Sequence, residues 1–559
     1  MNTLKEKKRR VFVVGLDGAT FDIIIPMIEK GKLPNLAKMM KSGTYGELTS
    51  TIPPNSSVAW SSFMTGKNPG KHGVYYFLEK KVGSYERPVI SSRSIKSRTL
   101  WRILSDHDKN VCIVNVPVTY PPEEVNGYLI SGLLAPDKKS NFTYPPSLHM
   151  ELLKEIGDYP LDHEPEQIWS KGDEIGAYQH AIYATKKVME ATEYLMKRID
   201  WDFFMTVFTI TDRFQHVGWK YTLPWFQEKH PGPANKFGNL IEIAYELADD
   251  LLGKIKASLD EDTILIVLSD HGFGPISYKF YINKWLIDNG FLRLKKGVRF
   301  TFSSKRFLTN ILKRSSFIRR SREVLHALTR DHPESGGGYA LYRLIDWSKT
   351  KAFSSFSGGE EIIYINLKRR EPMGIVKPGR EYEELRDDII SRLYNVKDYE
   401  GRSIIEKAYK REDIYNGEYL CLAPDIQFVT REMSVHPESD LFAEKILVRP
   451  EERPEEYFPA LHRLNGVFLL EGRSVKRNNK LFGTNIIDLA PTILYLLDLP
   501  IPKDMDGRPL LECFDMDFTK TPSFSDTVLK PQPDDSDFSY SDLEDQKLKK
   551  MLQDLGYLS

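Results

Sequence analysis

The sequence predicts an α/β fold built on a mostly parallel central sheet, and three observations predict it. Val11-Phe12-Val13-Val14-Gly15-Leu16 is a continuous apolar run that ends abruptly at Asp17-Gly18. Thr263-Ile264-Leu265-Ile266-Val267-Leu268 repeats the pattern and ends at Ser269-Asp270-His271-Gly272. Runs of this kind, apolar at every position, belong to strands buried on both faces by helices. Third, the residues suited to hold cations fall just after such runs or at helix starts, where open α/β sheets place their ligands.

The elements follow in order. Asp17 directly succeeds the first strand. Ser56 precedes Ala59-Trp60-Ser61-Ser62-Phe63-Met64 and so opens a helix. A helix N-terminus offers N–H groups and partial positive charge to phosphoryl oxygens. Asp212 and His216 are four apart, so one helical turn puts both on a single face. Asp270 and His271 are neighbours, and on a strand they would point to opposite faces. They can share a cation only if the strand has ended, and Gly272 and Gly274 supply the turn. His462 stands alone, far along the chain. Together these positions offer three carboxylates, three imidazoles and one hydroxyl, an inventory suited to two zinc-like cations and a nucleophile. The other nine of the twelve histidines, including His72, His107, His180 and His326, lack such contexts and read as structural or surface residues.

The order and context of these blocks resemble the alkaline phosphatase superfamily, in the branch of type I phosphodiesterases and nucleotide pyrophosphatases. The resemblance rests on Val14-Gly15-Leu16-Asp17-Gly18 and on the stretch from Pro53 through Ser56, Thr65-Gly66 and His72-Gly73. It continues in Thr211-Asp212-Arg213-Phe214-Gln215-His216, in Ser269 to Gly274, in His462 to Gly466, and in Asp488 to Leu494 with Asp504 to Arg508. It implies a three-layer sandwich with cap-type insertions. It also implies one divalent cation on Asp212, His216 and His462, and another on Asp17, Asp270 and His271 with the Ser56 oxygen beside it. Zinc is the expected metal, and manganese is the alternative. Spacing to Thr65-Gly66 favours Ser56 as the nucleophile, whereas a slip of one residue would select Ser57. The implied reaction is hydrolysis of a diester or pyrophosphate bond in a small phosphate ester, through a phosphoserine. A phosphomutase or phosphotransferase, a phosphomonoesterase and a non-catalytic binding protein are the alternatives. Many relatives carry an asparagine donor shortly after the His-Gly pair. Here that position is Phe77, which with Tyr75 and Tyr76 suggests an apolar wall and puts nucleotide substrates in doubt. Lys67 and Arg213, like Lys71 and Arg463, neighbour the motifs and are either phosphate contacts or solvated charges. None of the cysteines has the Cys-x-Pro-x-Arg context of a sulfatase.

Composition adds exclusions. Lys+Arg and Asp+Glu balance at 78 each in 559 residues, so no bulk charge points to nucleic acid. Cys112, Cys421 and Cys513 are widely separated and read as buried thiols of a reducing, cytoplasmic compartment. No apolar run approaches the roughly 20 residues that span a bilayer. Nothing in the sequence bears on oligomeric state. The ligands must converge, so residues 1–290 and 455–515 are expected to form the catalytic core, with a cap inserted at about 75–175. A second insertion, 291–454, contains a strand at Ile362 to Leu367 and a helix at Glu381 to Tyr394. Ala423 to Val429 is expected to return the chain to the central sheet. Its opening stretch, Arg293 to Arg330, holds twelve Lys or Arg against one acid, Glu323. That stretch suits an anionic membrane surface, a collector of phosphate-rich substrate, or a solvated helix. Residues 516–559 read as an acidic, flexible tail, with Leu548 to Leu558 as a short docking helix.

Overall fold

The computed structural model describes residues 9–161, 168, 173–296, 342–355, 360–452, 460–516, 518, 520–526 and 538–558. Beyond residue 296, the basic stretch 293–330 lies outside the described residues. Nine strands form the central sheet: β1 (Arg10–Leu16), β2 (Thr44–Thr49), β3 (Val111–Val116), β4 (Gly127–Ser131), β5 (Thr143–Tyr144), β6 (Phe203–Phe208), β7 (Thr263–Leu268), β8 (Asn465–Glu471) and β9 (Asn479–Asn485). Their spatial order is β9-β2-β8-β7-β1-β6-β3-β4-β5. Only β8 and β5 run against the rest.

The apolar runs are buried on both faces, as their composition requires. Val11 and Val13 of β1, with Ile264, Ile266 and Leu268 of β7, join one hydrophobic core. Phe12, Val14 and Leu16, with Leu265 and Val267, join a second core on the opposite face. Helix α1 (Ser56–Thr65) lies entirely within the first layer, and every one of its residues is buried. Helix α2 (Ile210–Gly218) starts two residues after β6.

Three sequence expectations are corrected. The stretch 75–175 is not a separate cap, because β3, β4 and β5 within it build one edge of the central sheet. Ala423 to Val429 contributes a strand, Ile426–Thr430, but that strand belongs to a small four-stranded sheet of the second insertion. The strand Ile362–Ile365 and the helix Arg380–Tyr394 flank the same small core. Finally, the docking helix expected at Leu548 to Leu558 starts earlier, and residues 538–558 of the stretch read as a flexible tail are packed. Helix α3 (Asp542–Asp554) is capped by Ser541 and Glu544 in a capping box, and it lays Leu548, Met551 and Leu552 into the first core, followed by Leu555 and Leu558. Full burial contributes roughly 1.5–3 kcal/mol per such side chain, so this segment is docked on the core rather than loose. Of the cysteines, Cys112 and Cys513 are buried but Cys421 is exposed. Among the described residues, no helix is long and apolar enough to cross a membrane.

Leu552, fully buried on α3, tests the packing. Leu552→Ala is expected to lower unfolding free energy in urea by about 2–5 kcal/mol. A loss below about 0.5 kcal/mol, the size typical of surface changes, would place the helix outside the core.

Candidate metal-dependent active site

Three carboxylates meet because neighbouring parallel strands end at one edge. Gly15 of β1 is level with Leu268 of β7, and Leu16 is level with Phe208 of β6. Asp17 therefore emerges beside Ser269-Asp270 and beside the start of α2, and its own N–H donates to the Phe208 carbonyl at 3.1 Å. On α2, Asp212 and His216 sit one turn apart. His462 arrives by another route, on a strand Ala460–Arg463 that pairs antiparallel with Gly272–Pro275 and sets His462 opposite Phe273. Ser56 is the first residue of α1, after the N-cap Asn55, whose side chain accepts from the Ser57 N–H.

The donor atoms fall into two adjoining groups close enough to hold a cation, Asp212 with His462 and Asp17 with Asp270, and His271 belongs to both. His216 Nε2 is 3.1 Å from His462 Nε2, and Asp212 Oδ1 lies 3.5 Å and 3.4 Å from these two atoms. His271 Nε2 is 3.4 Å from Asp270 Oδ2 and 3.7 Å from Asp17 Oδ1. Donors bonded at 2.0–2.1 Å to a tetrahedral centre stand about 3.3 Å apart. The His271 and His462 rings stack at 3.6 Å and join the two groups. Ser56 Oγ lies 3.1 Å from His271 Nε2.

Hydrogen bonds orient this cluster and leave selected atoms bare. His462 Nδ1 faces the Pro54 carbonyl and His271 Nδ1 faces the Gly272 carbonyl, each at 3.0 Å, so both turn Nε2 inward. Each carboxylate has one oxygen held: Asp17 by Trp60 Nε1 at 3.1 Å, Asp270 by the Gly18 N–H at 3.2 Å, and Asp212 by the Tyr557 hydroxyl at 3.0 Å. The other oxygens, Asp17 Oδ1, Asp212 Oδ1 and Asp270 Oδ2, are buried and accept no hydrogen bond among the described residues. Those are the oxygens nearest the imidazole Nε2 atoms. Buried carboxylates left this way are costly unless a cation pairs with them.

The titration behaviour follows. Burial, reinforced by Asp270 and Asp212, raises the Asp17 carboxyl well above the usual range. Burial and then Asp212 push Asp270 up to about 7. Burial would raise Asp212 too, yet His216 and His462 beside it hold it well below the ordinary value. Burial pushes His462 down to about 3 and lowers His216, so both are neutral, the form that binds metal. Neutral imidazoles, crowded carboxylates and orphaned oxygens together fit two divalent cations.

The other sequence candidates scatter. Ser57 Oγ donates to Asn55 Oδ1 at 2.6 Å and serves the helix cap. Phe77 is buried against the Tyr557 ring at 4.7 Å. Lys67 is not a substrate contact. It pairs with Asp504 just past the C-terminus of α1, the opposite end from Ser56 and roughly 15 Å along the axis. Lys71 likewise pairs with Asp506. Arg463 reaches the carbonyls of Met433 and Pro275. Arg213 bonds Thr209 Oγ1 through Nε at 3.2 Å and lines a small cavity with Asn115 and Phe208. His72 is a buried structural residue, 2.9 Å from Ser62 Oγ.

Known proteins give this arrangement a family. The model of the type I phosphodiesterase/nucleotide pyrophosphatase family matches residues 11–440. The chain belongs to that family. Five of the six candidate ligands lie within the matched stretch, and His462 lies beyond it. No curated protein matches the chain. Among solved structures, the phosphonoacetate hydrolase of Sinorhizobium meliloti 1021 in complex with phosphonoacetate is 14% identical, with a TM-score of 0.52, covering 88% of this chain and 95% of that one. A mutant of the alkaline phosphatase PafA is 13% identical, with a TM-score of 0.50, covering 91% and 99%. Human ectonucleotide pyrophosphatase/phosphodiesterase 5 is 12% identical, with a TM-score of 0.48, covering 90% and 98%. At such identities the first two speak for an alkaline phosphatase-like fold alone.

Sequence reasoning missed Tyr557 and Trp60. Trp60 sits in the α1 motif, but nothing in its spacing aims the indole at Asp17. Tyr557 lies in the stretch read as a docking helix, with no local signal for where its hydroxyl goes.

Asp270 makes a pH prediction for this family member. Its folded pKa of about 7 exceeds the ordinary value of 3.8, so between these limits the folded metal-free state binds the extra proton. Stability of that state is therefore expected to fall as pH rises from about 4 to 7. Cation binding removes the penalty, so the gain in Tm on adding zinc to chelated protein should be larger at pH 8 than at pH 5. An equal gain at both would show that Asp270 is not proton-competent in the metal-free site.

Proposed function

We propose that this family member hydrolyses phosphate diesters or pyrophosphates with two divalent cations and a phosphoserine on Ser56. The observation that carries the reading is the meeting of three orphaned carboxylate oxygens with three imidazole Nε2 atoms, with Ser56 Oγ at 3.1 Å from one of them. One cation would be held by Asp212, His216 and His462, the other by Asp17, Asp270 and His271. Zinc suits this donor set, and manganese would substitute. When bound, such a pair activates the nucleophile and neutralises charge on the leaving oxygen.

The chain's own residues do the rest. Asn55 and the first turn of α1 fix Ser56 at a helix N-terminus, where the dipole favours the negative phosphoryl oxygens. Ser56 Oγ attacks phosphorus as the P–O bond to the leaving alcohol or phosphate breaks. Water then attacks the phosphoserine and restores Ser56. Two in-line displacements give net retention at phosphorus. Beside His216 and His462 opens a narrow cleft lined by Pro53, Pro54, Tyr76, Glu361 and His436. The apolar surface of Pro53, Pro54 and Tyr76 in its wall suits the organic group of an ester. Tyr76 is hydrogen-bonded to Glu361 at 3.3 Å, and burial pushes that carboxyl up to about 7. The cleft gives a diester's second group a place to lie.

Ser56→Ala should reduce kcat by roughly 10³ or more while metal analysis still finds two equivalents. Ser57→Ala, which removes only a capping bond to Asn55, should cost less than about tenfold. If Ser57→Ala is the inactive variant, the nucleophile is misassigned.

Bis-p-nitrophenyl phosphate is expected to be cleaved with a higher kcat/KM than p-nitrophenyl phosphate. The cluster supplies two cation sites, and Lys67, Lys71 and Arg463 are engaged elsewhere. A monoester's extra charge would therefore be under-neutralised. A clear preference for the monoester would overturn this reading.

A further inference from the structure

Tyr557 reaches the cluster from the other end of the sequence, and the mechanism above does not use it. Its hydroxyl donates to Asp212 Oδ2 at 3.0 Å and lies 3.4 Å from Ser56 Oγ. Its ring leans on Phe77 at 4.7 Å and meets His216 and His462 edge-on at 5.7 Å and 5.6 Å. A phosphoryl group on Ser56 carries its non-bridging oxygens into this same space.

The local chain holds the tyrosine rather than presenting it loosely. Helix α3 ends in a Schellman turn: Gly556, at φ +84°, donates to the Gln553 carbonyl at 3.0 Å, and the Tyr557 N–H donates to the Leu552 carbonyl at 2.9 Å. Leu555 and Leu558, on either side, are buried in the first core. Upstream, Asp545 accepts from the Val89 N–H at 2.7 Å, and the Tyr540 hydroxyl donates to the Leu134 carbonyl at 3.0 Å. A displaceable plug would not be fastened at every turn. The hydroxyl proton, by contrast, is free to rotate about the C–O bond from Asp212 toward a new acceptor.

We infer that Tyr557 is a catalytic residue of this site, its phenol donating a hydrogen bond to a non-bridging phosphoryl oxygen while Phe77 supports its ring. The inference rests on the phosphoesterase reading above. A preorganised donor of this kind strengthens its bond as charge builds on the oxygen. Phe77, against which the ring leans, has no donor of its own, so the hydroxyl beside it is the group that can reach the phosphoryl oxygen.

Tyr557→Phe tests the assignment, because it removes the hydroxyl and keeps the ring contact with Phe77. In zinc-loaded protein, kcat/KM for bis-p-nitrophenyl phosphate should fall by roughly 10²–10³, with two equivalents of zinc retained and the melting temperature nearly unchanged. Inorganic phosphate, titrated by calorimetry, should bind about tenfold or more weakly. Unchanged phosphate affinity would overturn the inference. So would tighter phosphate binding or faster turnover in Tyr557→Phe, which would mark the side chain as an obstruction. Phosphate binding that depends on Tyr557 in a protein that cleaves no ester would refute the hydrolase reading and the catalytic role with it, leaving Tyr557 as a phosphate-binding donor only.

Discussion

The structure is organised around mutual repulsion among three buried carboxylates. Asp17, Asp212 and Asp270 are each at most 2% exposed, and among the described residues their bare oxygens face imidazoles rather than lysine or arginine. A fold that merely needed stability would have put apolar side chains there. Holding three acids in this state requires a rigid frame, and the parallel block β7-β1-β6 provides it. Strand register fixes where each carboxylate emerges, and Trp60, the Gly18 N–H and Tyr557 fix which oxygen turns inward.

The layering outside the site serves that frame. Both faces of β1 and β7 are covered, so the strand ends cannot shift without disturbing two cores at once. The second insertion has its own small core. Its main effect at the site is to bring Glu361, Met433 and His436 to the cleft beside His216 and His462. The fold thus follows from the frame, while the wall of the neighbouring cleft comes in part from the added elements.

Much of this was legible in the chain. β1 and β7 were visible because parallel strands covered on both faces leave no polar alternation. The i, i+4 pair on α2 and the Asp-His-Gly turn were visible because their spacing is local. What failed was non-local. Val111 to Val116 is as apolar as β1, yet its position between Ser56 and Asp212 disguised it as part of a cap. Ile426 to Thr430 is a strand, but strand propensity does not name a partner, and it joined a different sheet. The apolar 548, 551, 552 and 555 spacing pointed to a docking helix, but the acidic average of 516–545 hid that the helix starts at Asp542. Lys67 looked available because Asp504 lies more than four hundred residues away and only folding brings it near.

The contact between Ser56 and Tyr557 closes a loop of 501 residues, and that between His216 and His462 closes one of 246. Contacts of such long range form late, because the chain entropy they cost is compensated only when the intervening structure is already in place. A chain stalled with its sheet formed but its last helix undocked would hold six ligands without the wall that surrounds them. Closure of the centre by Tyr557 thus marks the completion of folding across nearly the whole chain.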